Sequence, residues 1–375
     1  MRVRIYSKQT VYLFFISFLF LMFSCAPKAR LVAIRPAEVA LPGVRTLAIL
    51  PFKGKYGDLV REEFYSKLDE VKHFTLKDMR YNQALDKIQW EQIDDPRFVP
   101  AFAEIQADAA IAGYVRVQIK DIKGYDHVKM QEGTGRYKKV KRKNLFTGKT
   151  EWVDEEIMRT VLRPVPYIIR TACLTAAIKV IDLNTRKILA TKQVSVNFKQ
   201  KYGGKNEAQG GLLGILGAGG HTLDELPTPE ETISELAKEA ATKLVAKIAP
   251  TRYIIEVVLD KSGPSQVKQG VKLAERGDWE DAIELWKSVL DKKPHCTAAL
   301  YNLGVAYEAK GDLASLLQAK KYYTEALRYK DKDIYIEAKV RINKKIRDAQ
   351  RLRQQIRILH QNKERKPVSG GVQVY

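Results

Sequence analysis

Few side chains in this sequence have the types and spacing that catalysis or metal binding needs. The chain of 375 residues contains 5 histidines and 3 cysteines. The histidines lack the spacing of metal ligands, and only His221 has acidic neighbours nearby, at Asp224 and Glu225. The glycine-rich segment 210–220 lacks the Lys-Ser/Thr pair of a phosphate loop. Because no nucleophile motif is present either, the sequence predicts a non-enzymatic protein with no catalytic residue, metal or cofactor.

Cys25 is the one cysteine whose surroundings predict a reaction. Arg2, Arg4 and Lys8 precede the apolar run Val11–Phe23, an order typical of a signal peptide. The run is shorter than the roughly 20 residues that cross a bilayer. The Ser-Cys pair that follows it resembles a lipobox, which implies that residues 1–24 are removed and that the Cys25 thiol carries a lipid. The alternatives are an ordinary signal peptide or an uncleaved anchor, with Cys25 incidental.

Export limits the classes of acidic partner that this positively charged chain can bind. The formal net charge is +21, with 29% charged and 45% hydrophobic residues. Such a charge favours acidic partners, and outside the cytoplasm these are lipid head groups and proteins rather than nucleic acid. By analogy with lipoprotein sorting, Ala26 after the cysteine implies the periplasmic face of the outer membrane. Cys173 and Cys296 lie in different predicted domains and predict no disulfide framework.

The predicted elements divide the chain into an α/β mixed-sheet N-terminal domain and an all-α C-terminal domain. Three prolines in residues 25–43 indicate a tether, and the mixed pattern over 44–260 predicts the α/β domain, followed by a linker at 261–265. A basic insert, 120–170, interrupts this domain and contains the run Lys138–Lys143. We expect strands at 44–52, 109–119 and 252–259, a hairpin of 170–182 with 188–198, and helices at 58–71, 80–93, 98–107 and 229–248.

Internal repetition is the strongest signal in the C-terminal part of the chain. Gly270 recurs 34 residues later as Gly304, and Gly277 recurs as Gly311. The pattern resembles tetratricopeptide (TPR) repeats, in which small residues let helices approach and aromatic rings fill the gaps between stacked pairs. We expect such repeats over 264–335. The structural positions are Gly270, Leu273, Gly277, Trp279, Ala282, Trp286 and Pro294 in the first copy, and Leu303, Gly304, Tyr307, Gly311, Ala319, Tyr323 and Ala326 in the second.

The last residues of the chain, 336–375, predict a basic capping helix followed by a disordered tail. From residue 338 onward there are 11 lysines and arginines against 2 acidic residues. This segment is either a solvated cap or an electrostatic contact with anionic lipid or an acidic protein.

Three segments of the α/β domain resemble the CsgG-like family of outer-membrane lipoproteins, which includes the curli secretion channel. They are TLAILPF at 46–52, AEIQADAAIAGYV at 103–115 and AAIKVIDLNTRKILATKQV at 176–194. The related LpoB and TolB N-terminal modules share the same general α/β architecture. The resemblance covers about 44–260 and implies no catalytic residue.

The sequence leaves three functions open. The first is a lipid-anchored envelope protein that binds or scaffolds protein partners of unknown identity, with a homo-oligomer left open. The second is a subunit of a secretion channel, whose membrane strands would fall in 120–170 and 199–226. Lysine or arginine facing lipid costs about 2–4 kcal/mol at mid-membrane, and the run Lys138–Lys143 would occupy both faces of a strand, which disfavours the channel. The third is regulation of a peptidoglycan synthase.

Overall fold

The computed structural model describes residues 27–80, 90, 105–143, 148–205 and 221–361. These residues form two compact units, one spanning Val44–Lys247 and the other combining the residues up to Gly43 with those from Ile248 onward. The first is an α/β unit with a mixed sheet and the second is a helical unit, so the predicted α/β plus helical layout is confirmed. Cys25, the segment 210–220 and most of the helices expected at 80–93 and 98–107 lie outside the described residues.

In chain order the elements are β1 (Lys28–Arg35), β2 (Thr46–Lys53), α1 (Gly57–Val71), β3 (Thr75–Asp78), β4 (Ala109–Lys143), β5 (Thr150–Asp182), β6 (Ile188–Gly203), α2 (Pro229–Ile248), β7 (Thr251–Val258), α3 (Ser265–Arg276), α4 (Trp279–Lys292), α5 (Thr297–Lys310), α6 (Leu313–Tyr329) and α7 (Asp333–Gln361).

The sheet of the α/β unit has the strand order β3-β2-β4-β5-β6. Strand β2 runs parallel to β3 and β4, whereas β4, β5 and β6 form an antiparallel series. Leu47, Ala48 and Ile49 of β2 are fully buried, because a central strand covered on both faces needs a continuous apolar run. Val60 and Phe64 carry the buried face of α1, and this helix packs on β2 and β4.

Helix α2 begins where its sequence predicts. The backbone N–H of Glu231 donates to Thr228 Oγ1 over 3.1 Å, and the backbone N–H of Thr228 donates to Glu231 Oε2 over 2.7 Å. These reciprocal bonds satisfy two amides that the first helical turn leaves without partners. Thr228 and Glu231 therefore form a capping box at the start of α2.

Beyond the body of the sheet, β4 and β5 continue as a two-stranded ribbon. Strand β6 ends opposite Tyr167, whereas β4 and β5 stay paired as far as Lys143 and Thr150. At roughly 3.3 Å per residue, the partner stretch from Pro166 to Thr150 makes the ribbon about 50 Å long. The described residues of the basic insert 120–170 thus continue two strands of the sheet.

Helices α3 to α7 form the helical unit. The helices α3 and α4 pack as one pair, and α5 and α6 pack as the next. Gly277 and Gly311 follow α3 and α5 with φ of 94° and 77°. This left-handed conformation ends a helix most easily at glycine, which has no Cβ to clash.

The segment predicted as a tether, 25–43, contains a strand instead. Strand β1 pairs antiparallel with β7 from Lys28↔Val258 to Arg35↔Thr251. Ala29 and Leu31 are buried and belong to the same core as the helices. Because β7 joins the helical unit through this pairing, the expected α/β domain 44–260 loses its last strand. The prolines that flank β1 suggested a tether, but they only limit its length.

The expected linker at 261–265 follows Asp260, whose backbone and side chain are both held by hydrogen bonds. Asn302 accepts from the backbone N–H of Asp260 and donates to its carbonyl, over 2.9 and 2.8 Å. Lys332 Nζ and Tyr335 Oη donate to Asp260 Oδ2, both over 2.5 Å. Burial alone would raise the pKa of Asp260, but the hydrogen bonds from Lys332, Ser262 and Tyr335 lower it to about 2. The chain therefore passes from β7 into α3 in a fixed path.

Candidate functional site

The two glycines at the centre of the predicted repeats lie where helices touch. A Cβ on Gly270 would lie 2.4 Å from Nε1 of Trp286, and one on Gly304 would lie 2.5 Å from Cε1 of Tyr323. Both aromatic rings are fully buried. Each glycine therefore makes room for the ring of the following helix, as the repeat pattern predicts for these positions.

The remaining predicted repeat positions lie in or beside the same four helices. They differ in burial: Leu303, Ala282, Ala319 and Ala326 are fully buried, Leu273, Trp279 and Tyr307 are half-buried, and Pro294 is exposed in the turn after α4. Because the small residues are enclosed and the large ones reach the core, these positions stabilise the helical unit.

One surface of the helical array is already occupied by the chain itself. The first helices of the pairs, α3 and α5, and the final helix α7 all contact β1. The hydroxyl of Tyr301 on α5 donates to the carbonyl of Val258 over 2.7 Å, and its ring stacks on Tyr335 of α7 at 4.7 Å. This surface is therefore closed by the β1–β7 sheet and is not an open groove.

A buried carboxylate joins the last three helices. Glu308 on α5 is fully buried and accepts two hydrogen bonds from Arg341 of α7, both of 2.9 Å. Lys345 Nζ lies 2.9 Å from the same carboxylate, and the Tyr323 hydroxyl of α6 donates to it over 2.6 Å. Burial alone would raise the pKa of Glu308, but the cations and the hydroxyl hold it below its ordinary value. Sequence spacing did not reveal this cluster, because its members come from three helices.

The ribbon separates opposite charges onto its two strands. Its tip carries five cations in residues 137–143 of β4 and four acids in residues 150–156 of β5. The register sets Lys139 opposite Asp154 and Arg142 opposite Glu151. The acids of β5 thus lie beside the basic run Lys138–Lys143 and neutralise most of its charge. Only the strand register could have shown this.

One face of the ribbon also exposes large apolar side chains. The register places Tyr125 and Tyr137 of β4 on the same face as Trp152, Met158 and Leu162 of β5. Each of these five side chains is more than half exposed. A row of exposed aromatic and aliphatic groups on a monomer is characteristic of a surface that binds another molecule. We refer to these five residues as the ribbon stripe.

The described residues contain no cluster of metal-binding side chains. No group of three His, Cys, Asp or Glu side chains among them could hold a metal ion. His221 pairs with Glu225, with Nδ1 2.9 Å from Oε2, and has no further acidic ligand in that part of the structure. Cys173 and Cys296 are free thiols. In the described part of the chain, no helix is both long and apolar enough to cross a membrane.

A family model described as "Domain of unknown function (DUF6340)" matches residues 268–360, which run from α3 to α7. No curated protein matches the chain.

Two of the solved structures that match the chain share a low similarity with it. The PelC dodecamer from Paraburkholderia phytofirmans has 9% identity and a TM-score of 0.22, over 58% of this chain and 96% of that one. A PDZ domain protein from Parabacteroides distasonis has 9% identity and a TM-score of 0.21, over 65% of this chain and 45% of that one. TM-scores this low carry no argument about fold or function.

Proposed function

We propose that this chain is a lipid-anchored protein of the periplasmic face of the outer membrane that scaffolds other proteins. In this proposal the lipid is attached to Cys25, the helical unit is a TPR array and the α/β unit is a CsgG-like module. The glycine–aromatic contacts of both helix pairs support the TPR interpretation, and the order of β2, α1 and the β5–β6 hairpin supports the module.

The ribbon stripe is the observation that carries the scaffold function. A two-stranded ribbon is marginal in water on its own, and exposed rings and aliphatic groups gain free energy when a partner covers them. The surface made by α3, α5 and α7 is closed by β1 and β7, so we assign partner binding to the ribbon.

Site-specific photo-crosslinking tests this proposal. A photoreactive amino acid replaces Leu162 on the ribbon stripe in the full-length protein, and Glu284, which is exposed on α4, serves as the control position. After irradiation of intact cells, we expect adducts of defined mass at residue 162 and none at residue 284. No adduct at 162, or the same adducts at both positions, would contradict the proposal.

The secretion-channel alternative draws support from the ribbon's length alone. Both strands carry charges throughout the tip, including Glu156 and Lys139 on the face of the ribbon stripe. These charges disfavour contact with lipid tails. In the crosslinking experiment, a ladder of adducts that contain only this chain would favour this alternative over a scaffold for other proteins.

A further inference from the structure

The outer face of the β1–β7 sheet exposes an apolar cluster. The inner face, with Leu31 and Val257, packs into the helical core. On the outer face Val32 stands directly opposite Ile254, and Ile34 is the next residue of β1 on that side. These three β-branched side chains are 56%, 66% and 43% exposed, respectively.

Positive charges flank this cluster. Lys28, Arg30 and Arg252 lie on the same outer face by register. The one acid on this face of the two strands is Glu256, which lies 3.2 Å from Lys28 and 3.7 Å from Arg30. Three cations and one acid leave this face with a net positive charge. The exposed apolar side chains lie between the cations.

The position of the sheet in the chain limits what can cover this face. Lys28 is the third residue after Cys25, and three residues of extended chain span at most about 11 Å. If Cys25 carries the lipid, β1 starts within roughly one Debye length, about 8–10 Å, of the head groups. The bilayer that holds the anchor is therefore the surface nearest to this face.

We propose that the outer face of the β1–β7 sheet lies flat on an anionic phospholipid surface. Val32, Ile34 and Ile254 enter the boundary between head groups and acyl chains, and the flanking cations bind lipid phosphates. This placement rests on the proposed lipid anchor and deepens it. In this arrangement β1 is held between the membrane and helices α3, α5 and α7.

Vesicle flotation of the protein without its lipid tests this inference directly. The probe protein is residues 25–375 with Cys25→Ser, and the vesicles are equimolar phosphatidylglycerol and phosphatidylcholine. We expect binding at low salt, weaker binding at high salt, and little binding to pure phosphatidylcholine. Arg30→Gln and Arg252→Gln should each weaken binding about fivefold, whereas Arg30→Lys should retain it.

The apolar part of the face has a matched control. Ile254→Asn should weaken flotation, while Leu162→Asn on the ribbon, at a side chain that is similarly exposed (63%), should leave it unchanged. Circular dichroism checks that each variant is folded. If flotation is absent, or if the variants at residues 30, 252 and 254 bind like the parent protein, the inference is overturned. Loss of binding only when Arg353 and Arg357 of α7 are neutralised would assign the contact to α7 and would also overturn it.

These outcomes are independent of the anchor itself, because the tested protein carries no lipid. Failure of lipidation in cells would contradict the proposed function but would leave the flotation result intact. Failure of flotation would contradict the flat placement of the sheet and would leave the anchor intact.

Discussion

Replacing Glu308 with glutamine should destabilise the helical unit more than any exposed charge substitution. The substitution keeps the size of the side chain and removes one negative charge. Arg341 and Lys345 then remain enclosed, with 21% and 7% of their side chains exposed, and lose the carboxylate that compensates them. Breaking a buried ion pair on one side costs about 3–5 kcal/mol. Because Arg341 is partly exposed and can regain some hydration, we expect the lower end, about 3 kcal/mol.

The loss of stability caused by Glu308→Gln should become smaller as the pH falls. In the folded protein the pKa of Glu308 lies below its ordinary value of 4.5, since the hydrogen bonds and cations outweigh the effect of burial. The carboxylate therefore stabilises the fold above pH 4.5, and this contribution is lost as the pH falls through the folded pKa. Glu308→Gln has no such carboxylate, so the difference in unfolding free energy from the parent should shrink in acid.

Urea denaturation followed by far-ultraviolet circular dichroism provides the measurement. The control is Glu325→Gln, which removes an exposed pair with Arg328 at 3.2 Å and should cost no more than about 0.5 kcal/mol. Adding Lys345→Met to Glu308→Gln should restore part of the lost stability, because one uncompensated cation is removed. If Glu308→Gln costs no more than the Glu325→Gln control, the buried carboxylate does not join the helices as described.

Three further predictions concern the helical unit. Gly304→Ala places a Cβ 2.5 Å from Cε1 of Tyr323 and should lower stability by about 1–3 kcal/mol; an unchanged urea midpoint would mean that α5 and α6 do not pack this closely. Asp260 has a folded pKa of about 2 against an ordinary 3.8, so it should contribute about 1–2 kcal/mol above pH 3.8 that is lost as the pH falls toward 2. Asp260→Asn should flatten this part of the stability–pH curve, and an unaltered slope would refute the assignment. A fragment of residues 264–375 lacks β1 and β7, so it should melt lower and bind more hydrophobic dye than the same fragment carrying both strands through a glycine–serine linker; equal melting temperatures would contradict the shared core.

Short-range patterns predicted most of the elements of the fold. Thr228 and Glu231 lie three residues apart, so their capping box could be recognised without knowledge of the rest of the chain. The recurrence of Gly270 as Gly304 marked both helix pairs for the same reason. Alternating apolar residues also predicted the β5–β6 hairpin, whose strands are joined by a short turn.

Features that depend on distant partners escaped prediction. Strand β1 pairs with β7 more than 200 residues later, and its short alternation between prolines resembled a tether. The acids of β5 neutralise Lys138–Lys143 only in the observed register, which the sequence does not display. The Glu308 cluster depends on how α7 packs against α5, and a weakly periodic basic helix gives no signal of that contact.

The fate of Cys25→Ala in cells tests the proposed lipid anchor most directly. Membrane fractions are washed with high salt, so that electrostatic contact alone cannot retain the protein, and the mature N-terminus is identified by mass spectrometry. We expect the parent protein to remain in the membrane fraction with an acylated Cys25 as its first residue. The variant should be a soluble periplasmic protein or an unprocessed precursor. Unchanged mature size and unchanged salt-resistant membrane association of the variant would contradict the lipid anchor on which the proposed function rests.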